Sequence, residues 1–124
     1  METKGRVKKY KTQSIHYLEN AFNFIEVSDL EKASEFIWGS VAEALKAVAA
    51  SKEIWLKHHK DLRDYAMELA RTLPDESIRH TFLHAQSLHS NFYETGLLME
   101  DVVMCAEEVR TTINKLFKLI DGRE

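Results

Sequence analysis

The side chains best suited to chemistry are six histidines, three of which lie in one helical segment between Ser77 and Glu94. At about 100° per residue, Ile78, Phe82, Ala85, His89 and Phe92 fall within about 80° of one another on the helical wheel. His89 therefore stands within an apolar stripe, where each ring nitrogen needs a partner or burial costs a few kcal/mol. Two readings follow. One is a core histidine bonded to a backbone carbonyl or a carboxylate; the other is a functional histidine facing a groove or a two-fold interface. Asn91, Tyr93 and Glu94 come directly after it and gather hydrogen-bonding groups at that helix end, as a nucleotide or RNA pocket requires.

Glu76, His80 and His84 are spaced i, i+4, i+8 on the same helix, and two histidines one turn apart have metal-ligand spacing. No matching pair is recognisable on another helix, so a solvated polar face is expected and no metal or cofactor is assigned. His58 and His59 fall in Lys57-His58-His59-Lys60, which reads as a loop. Lys4, Arg6, Lys8, Lys9 and Lys11 place five cations in eight residues, either a phosphate-contacting segment or a frayed basic terminus over residues 1–10. Trp38 lies off its helix's apolar stripe, next to Gly39, where it can plug a helix–helix or subunit seam. Lys46 lies two turns further along the Trp38 side. No phosphate-binding glycine loop, nucleophile elbow or paired-carboxylate site is present.

The elements that must position these residues are helices. One proline and four glycines leave few places to turn, and the apolar residues recur with period 3.6 in five segments. The first helix is expected from about Lys11, with Ile15, Leu18, Phe22 and Ile25 inward. The second, capped by Ser28 or Asp29, carries Leu30, Ala33, Ile37, Val41, Ala44, Leu45 and Val48 and could extend to Trp55. Ala42, Ala47, Ala49 and Ala50 widen that stripe, which suits a central helix. The third carries Leu62, Tyr65, Ala66, Leu69 and Leu73 and stops at Pro74. The fourth, capped by Asp75, ends near Gly96, and the fifth runs from Val102 to Ile120 with a stop at Gly122. Short connections make an all-α, up-and-down four-helix bundle with one additional helix the expected fold, a single domain over 1–124.

At 14.4 kDa, 44% hydrophobic and 30% charged, the chain has the composition of one globular domain that needs no staples. One cysteine, Cys105, excludes an internal disulfide and a thiolate metal cluster. A net charge of −3 gives no overall attraction to nucleic acid. No run of about 18 apolar residues exists, so no membrane is expected as a partner; the lone cysteine makes a reducing, cytoplasmic setting the expected one, with a secreted protein free of disulfides the alternative.

Two segments resemble a known family. Ala33-Ser34-Glu35-Phe36-Ile37-Trp38-Gly39-Ser40-Val41-Ala42-Glu43-Ala44-Leu45-Lys46-Ala47 and Leu88-His89-Ser90-Asn91-Phe92-Tyr93-Glu94 are similar to paired motifs of the archaeal PaREP family, a likeness running from about Tyr17 to Leu119. The resemblance implies a fold like that of the higher eukaryotes and prokaryotes nucleotide-binding (HEPN) domains, commonly homodimeric. Many of those are metal-independent RNases with an Arg-x(4–6)-His motif at the dimer interface. With His89 as the motif histidine, the arginine would fall at 82 to 84, where Phe82, Leu83 and His84 stand. Arg79 and His84 meet the spacing, about 140° apart on the helix.

The expected function is a homodimeric, non-catalytic HEPN-like module that binds a nucleotide, RNA or a protein partner through His89, Asn91, Tyr93, Glu94, Trp38 and Lys46. The alternatives are a metal-independent endoribonuclease drawing on His89, Arg79 or His84, and a helical protein-interaction adaptor. No catalytic residue is assigned.

Overall fold

The computed structural model describes residues 2–73, 75–95 and 97–121. All their regular structure is helical, in five elements: α1 (Glu2–Glu26), α2 (Leu30–Ser51), α3 (His59–Thr72), α4 (Ser77–Thr95) and α5 (Met99–Asp121). The expected stops at Pro74, Gly96 and Gly122 lie outside the described residues.

After α1 and after α2 the chain reverses direction without glycine. At the end of α1, Ser28 takes φ 60°, while the Asp29 N–H donates to the Phe24 carbonyl (2.9 Å) and the Ser28 N–H to that of Ile25 (3.0 Å). Glu53, at φ 59°, repeats the pattern after α2, with Ile54 donating to Ala49 (2.9 Å) and Glu53 to Ala50 (2.8 Å). These paired bonds satisfy the last carbonyls of each helix, and the second pair ends α2 at Ser51, short of Trp55. Asp29 caps α2, its Oδ1 accepting from the Lys32 N–H at 3.2 Å.

α2 is the hub. It packs against all four other helices, most extensively against α1, and buries Ala33, Ile37, Val41, Ala44, Leu45, Ala47, Val48, Ala49 and Ala50. Alanines on several sides let neighbouring backbones approach closely, as a central helix needs. The α1–α2 contact is polar at its closest point. Ser14 Oγ donates to the Ser40 carbonyl at 2.7 Å, Ser40 Oγ donates to the Ser14 carbonyl at 2.9 Å, and both residues are fully buried. Tyr17 lies against Gly39, where an added Cβ would come within 3.0 Å of its ring. Pairing Ser14 with Ser40 and Tyr17 with Phe36, at 5.5 Å between ring centroids, runs the two helices antiparallel.

Two expectations for α1 are corrected. The buried line is Ser14, Leu18 and Ala21, while Ile15 is 45% exposed; the serine clasp and small side chains turn the helix partway from its most apolar face, leaving Phe22 and Ile25 half-buried against the core. Residues 2–10, expected as a frayed basic terminus, belong to the helix. Their cations cover rings of other elements: the Arg6 guanidinium lies 4.7 Å from the Trp55 ring centre, and the neighbouring Lys11 ammonium lies 5.3 Å from that of Phe117. Such contacts shield apolar surface and gain cation–π attraction.

α4 and α5 are also antiparallel, joined by polar pairs that step along both helices. Asp75 accepts from Lys115 Nζ at 3.0 Å, Thr81 and Thr112 share a buried hydroxyl bond of 2.8 Å, and His84 Nδ1 meets Glu108 Oε1 at 2.7 Å. Between α5 and the core, burial of Cys105, reinforced by Glu108 and Asp101, pushes its thiol up to about 12.

Ser40→Val places a branched side chain in the α1–α2 clasp. It is expected to lower stability by about 2 kcal/mol, read as a fall in the urea unfolding midpoint at unchanged slope. An unchanged midpoint would show that the helices do not need this close approach.

Candidate functional site

Three groups of chemically capable side chains stand apart on this scaffold. The first lies where α2, α3 and α4 meet. Trp38 packs on the buried Phe82 with ring centroids 5.3 Å apart, which holds the indole in place. His59 lies 4.9 Å from Trp38 by ring centroids and His89 6.2 Å. Both imidazoles are exposed and Trp38 is half-buried. Gln86 Nε2 approaches His59 Nε2 at 3.4 Å. The arrangement is an anchored indole flanked by two solvated imidazoles, with an amide close by.

This corrects the core-histidine reading of His89. The apolar line of α4 is Ile78, Phe82, Ala85 and Leu88, and His89, although on the same side by angle, is open to water. A wheel angle gives direction but not whether a neighbouring helix extends that far. His59 was expected in a loop and instead opens α3. Asp61 causes this: its Oδ2 accepts from the backbone N–H groups of Lys57 (3.1 Å) and His58 (3.0 Å), so His58 becomes the cap and the helix begins at His59. Those backbone bonds also hold the Asp61 carboxyl below its usual range.

Of the other expected binding residues, Lys46 is tied to Glu43 Oε2 on its own helix at 3.1 Å. It lies about 12 Å along α2 from Trp38, at 1.5 Å rise per residue. The side chains of Asn91, Tyr93 and Glu94 lie outside those described.

The second group lies on the α4–α5 seam. Glu108 of α5 faces two histidines of α4: His84 Nδ1 at 2.7 Å and His80 Nε2 at 3.9 Å. Glu76, the acidic residue expected beside these histidines, is 84% exposed and turned to Arg79 at 3.7 Å. Arg79 lines a shallow hollow with Met67, Ala70, Arg71 and Leu73 between α3 and α4, whereas His84 faces α5. Within one chain the arginine and histidine of the Arg-x(4)-His spacing point to different neighbours.

The third group is the basic segment. Lys4, Lys8 and Lys11 line a groove of about 550 Å³ with Val7, Ile15 and Ile120, beside Ser51 at the end of α2.

The base of α4 is set by Asp75, whose Oδ1 accepts from the Ser77 N–H (2.9 Å) and hydroxyl (2.6 Å). The Ser77 hydroxyl, then Lys115 and the Ser77 N–H, pull the Asp75 carboxyl down to about 2 from 3.8.

A family model matches residues 9–113, and the chain belongs to the archaeal PaREP1/PaREP8 family. Comparison with curated proteins found no match. No helix among the described residues is long and apolar enough to cross a membrane.

Because the folded Asp75 carboxyl titrates below its unfolded value, its contribution is present above about pH 4 and is lost as pH falls toward about 2. The stability difference between wild type and Asp75→Asn, measured by urea unfolding, is expected to close over that interval. An equal difference at pH 6 and pH 2.5 would show that Asp75 does not hold the start of α4 through its charge.

Proposed function

We propose that this PaREP1/PaREP8 family member is a HEPN-like, homodimeric, non-catalytic module that binds a nucleotide or RNA at the Trp38–His59–His89 face. The observation that carries the reading is the anchored indole with two exposed imidazoles beside it. Nucleobases stack on aromatic rings without regard to sequence, at about 1–3 kcal/mol per base. The imidazole nitrogens and the Gln86 amide supply hydrogen bonds to base edges or phosphate. A HEPN-like arrangement makes α1, α2, α4 and α5 the four-helix bundle and the 14-residue α3 the additional helix. What supports it is the pattern of neighbours: α1, α2, α4 and α5 are in contact in sequence around a ring, and α3 touches only α2 and α4 among the described residues. The single domain over 1–124 belongs to the same reading. Homodimerisation rests on the resemblance, since the alanine face of α2 is consumed inside the chain.

The absence of catalysis rests on the divergence of Arg79 and His84. RNA cleavage of the HEPN type needs a base at the 2′-hydroxyl and a cation at the developing phosphorane charge together. One observation favours the endoribonuclease reading: Glu108 orients the His84 ring at 2.7 Å, as a catalytic imidazole requires, and a second copy would have to bring an arginine to it.

Anisotropy titration of a labelled short single-stranded RNA tests the proposal. Trp38→Ala and the double variant His59→Ala/His89→Ala are each expected to weaken binding by about tenfold, with the helical circular dichroism unchanged. The RNA should remain full length, and light scattering should give twice the chain mass. Equal affinity of wild type and both variants would remove the stacking face. RNA cleavage by wild type but not by His84→Ala would establish the endoribonuclease instead.

A further inference from the structure

We infer that His80, His84 and Glu108 form a binding site for a divalent first-row transition ion of the zinc class, clamping α4 to α5. The inference is independent of the RNA-binding reading, which uses the face of α4 toward α2 and α3.

Three observations converge. His80 and His84 are one helical turn apart, so both rings project from one side of α4, with centroids 6.2 Å apart. Glu108 comes from the antiparallel α5 and presents one carboxylate oxygen to each ring, at 2.7 Å to His84 Nδ1 and 3.9 Å to His80 Nε2. One ligand atom from each of the three residues lies within 4.8 Å of the others. Bonds of about 2.0–2.1 Å at tetrahedral angles put ligand atoms about 3.3 Å apart, so small side-chain rotations convert the present spacing to a coordinating one.

The surroundings fit a bound cation. Among the described ion pairs Glu108 meets only these two histidines. His84 and Glu108 are 22% and 28% exposed, while His80 is 73% exposed, giving two sheltered ligands and one at the solvent edge. The scaffold beneath is fixed: the buried Thr81–Thr112 bond lies one turn from His84, and the Asp75–Lys115 pair sets the end of α4. Two imidazoles and one carboxylate select zinc, nickel, cobalt or copper over magnesium and calcium, which prefer all-oxygen sites. Three protein ligands leave the remaining coordination position to water.

The chemistry of the donors also explains why the site differs from the one suggested by helical spacing alone. Glu76, His80 and His84 share one helix face, yet Glu76 is turned toward Arg79. The carboxylate that completes the set comes from another helix.

Isothermal titration of the purified, chelator-treated protein with zinc chloride tests this, with thermal unfolding as a second readout. Wild type is expected to bind one equivalent per chain and to melt at higher temperature with zinc, while magnesium chloride leaves both readouts unchanged. Glu108→Gln and His80→Asn are expected to weaken zinc binding at least about tenfold; His80 is exposed, so its substitution leaves the fold intact. Glu76→Gln and the double variant His58→Asn/His59→Asn should bind as wild type does. Zinc binding that survives Glu108→Gln and His80→Asn, or that is lost in His58→Asn/His59→Asn, would overturn the assignment, as would no heat of binding at micromolar protein.

Discussion

The molecule depends on how closely other helices can approach α2. Ser40 and the alanines at 33, 44, 47, 49 and 50 are all fully buried, and side chains of that size set a short distance between helix axes. At that separation the hydroxyls of Ser14 and Ser40 reach across to each other's carbonyls. Neither carbonyl is lost to its own helix, because a carbonyl oxygen accepts two hydrogen bonds. The clasp therefore adds bonds between helices while satisfying both buried serine hydroxyls.

A hub rich in small residues keeps its aliphatic side chains inside and leaves its aromatic rings, Phe36 and Trp38, at its margins. Trp38 is on α2 but cannot enter the close contacts, so it packs at the α2–α3–α4 junction against Phe82. The same arrangement leaves space for His59 and His89 around the indole. The α4–α5 pair follows a different rule, with hydroxyls, an ion pair and a histidine–carboxylate bond along its seam. Such a seam fixes register, since each polar group finds its partner at only one relative position of the helices. One scaffold thus carries two separate polar surfaces, an aromatic–imidazole face and a carboxylate–imidazole seam.

Much of the helical organisation was legible in the residues. Scarce glycine and proline, the period of the apolar side chains, Asp29 as the cap of α2 and Asp75 just before α4 all act within a few residues of where they stand. Trp38 and His89, named from the sequence, do come together. What was not legible depends on partners distant in the chain. Ile15 has the chemistry of a core residue, yet Ser14 takes the inward position because its partner is 26 residues away. His59 joins Trp38 only because Asp61 starts α3 early. Glu108 carries no local sign that it meets His84. Ser28 and Glu53 reverse the chain in a conformation that glycine usually marks, so those helix ends lacked their customary signal. The family membership agrees with the quoted motifs and covers the helices that build both surfaces.

In the proposed reading the Trp38 face, and not the lysine groove, receives the ligand. The two tryptophans report on different places: Trp38 belongs to the first, and Trp55, covered by Arg6, reports on the basic segment of α1. Indole N–H resonances in a proton–nitrogen correlation spectrum, followed during addition of a short single-stranded RNA, test it directly. The Trp38 resonance is expected to shift progressively while that of Trp55 stays in place. A shift of Trp55 with Trp38 unmoved would contradict the account.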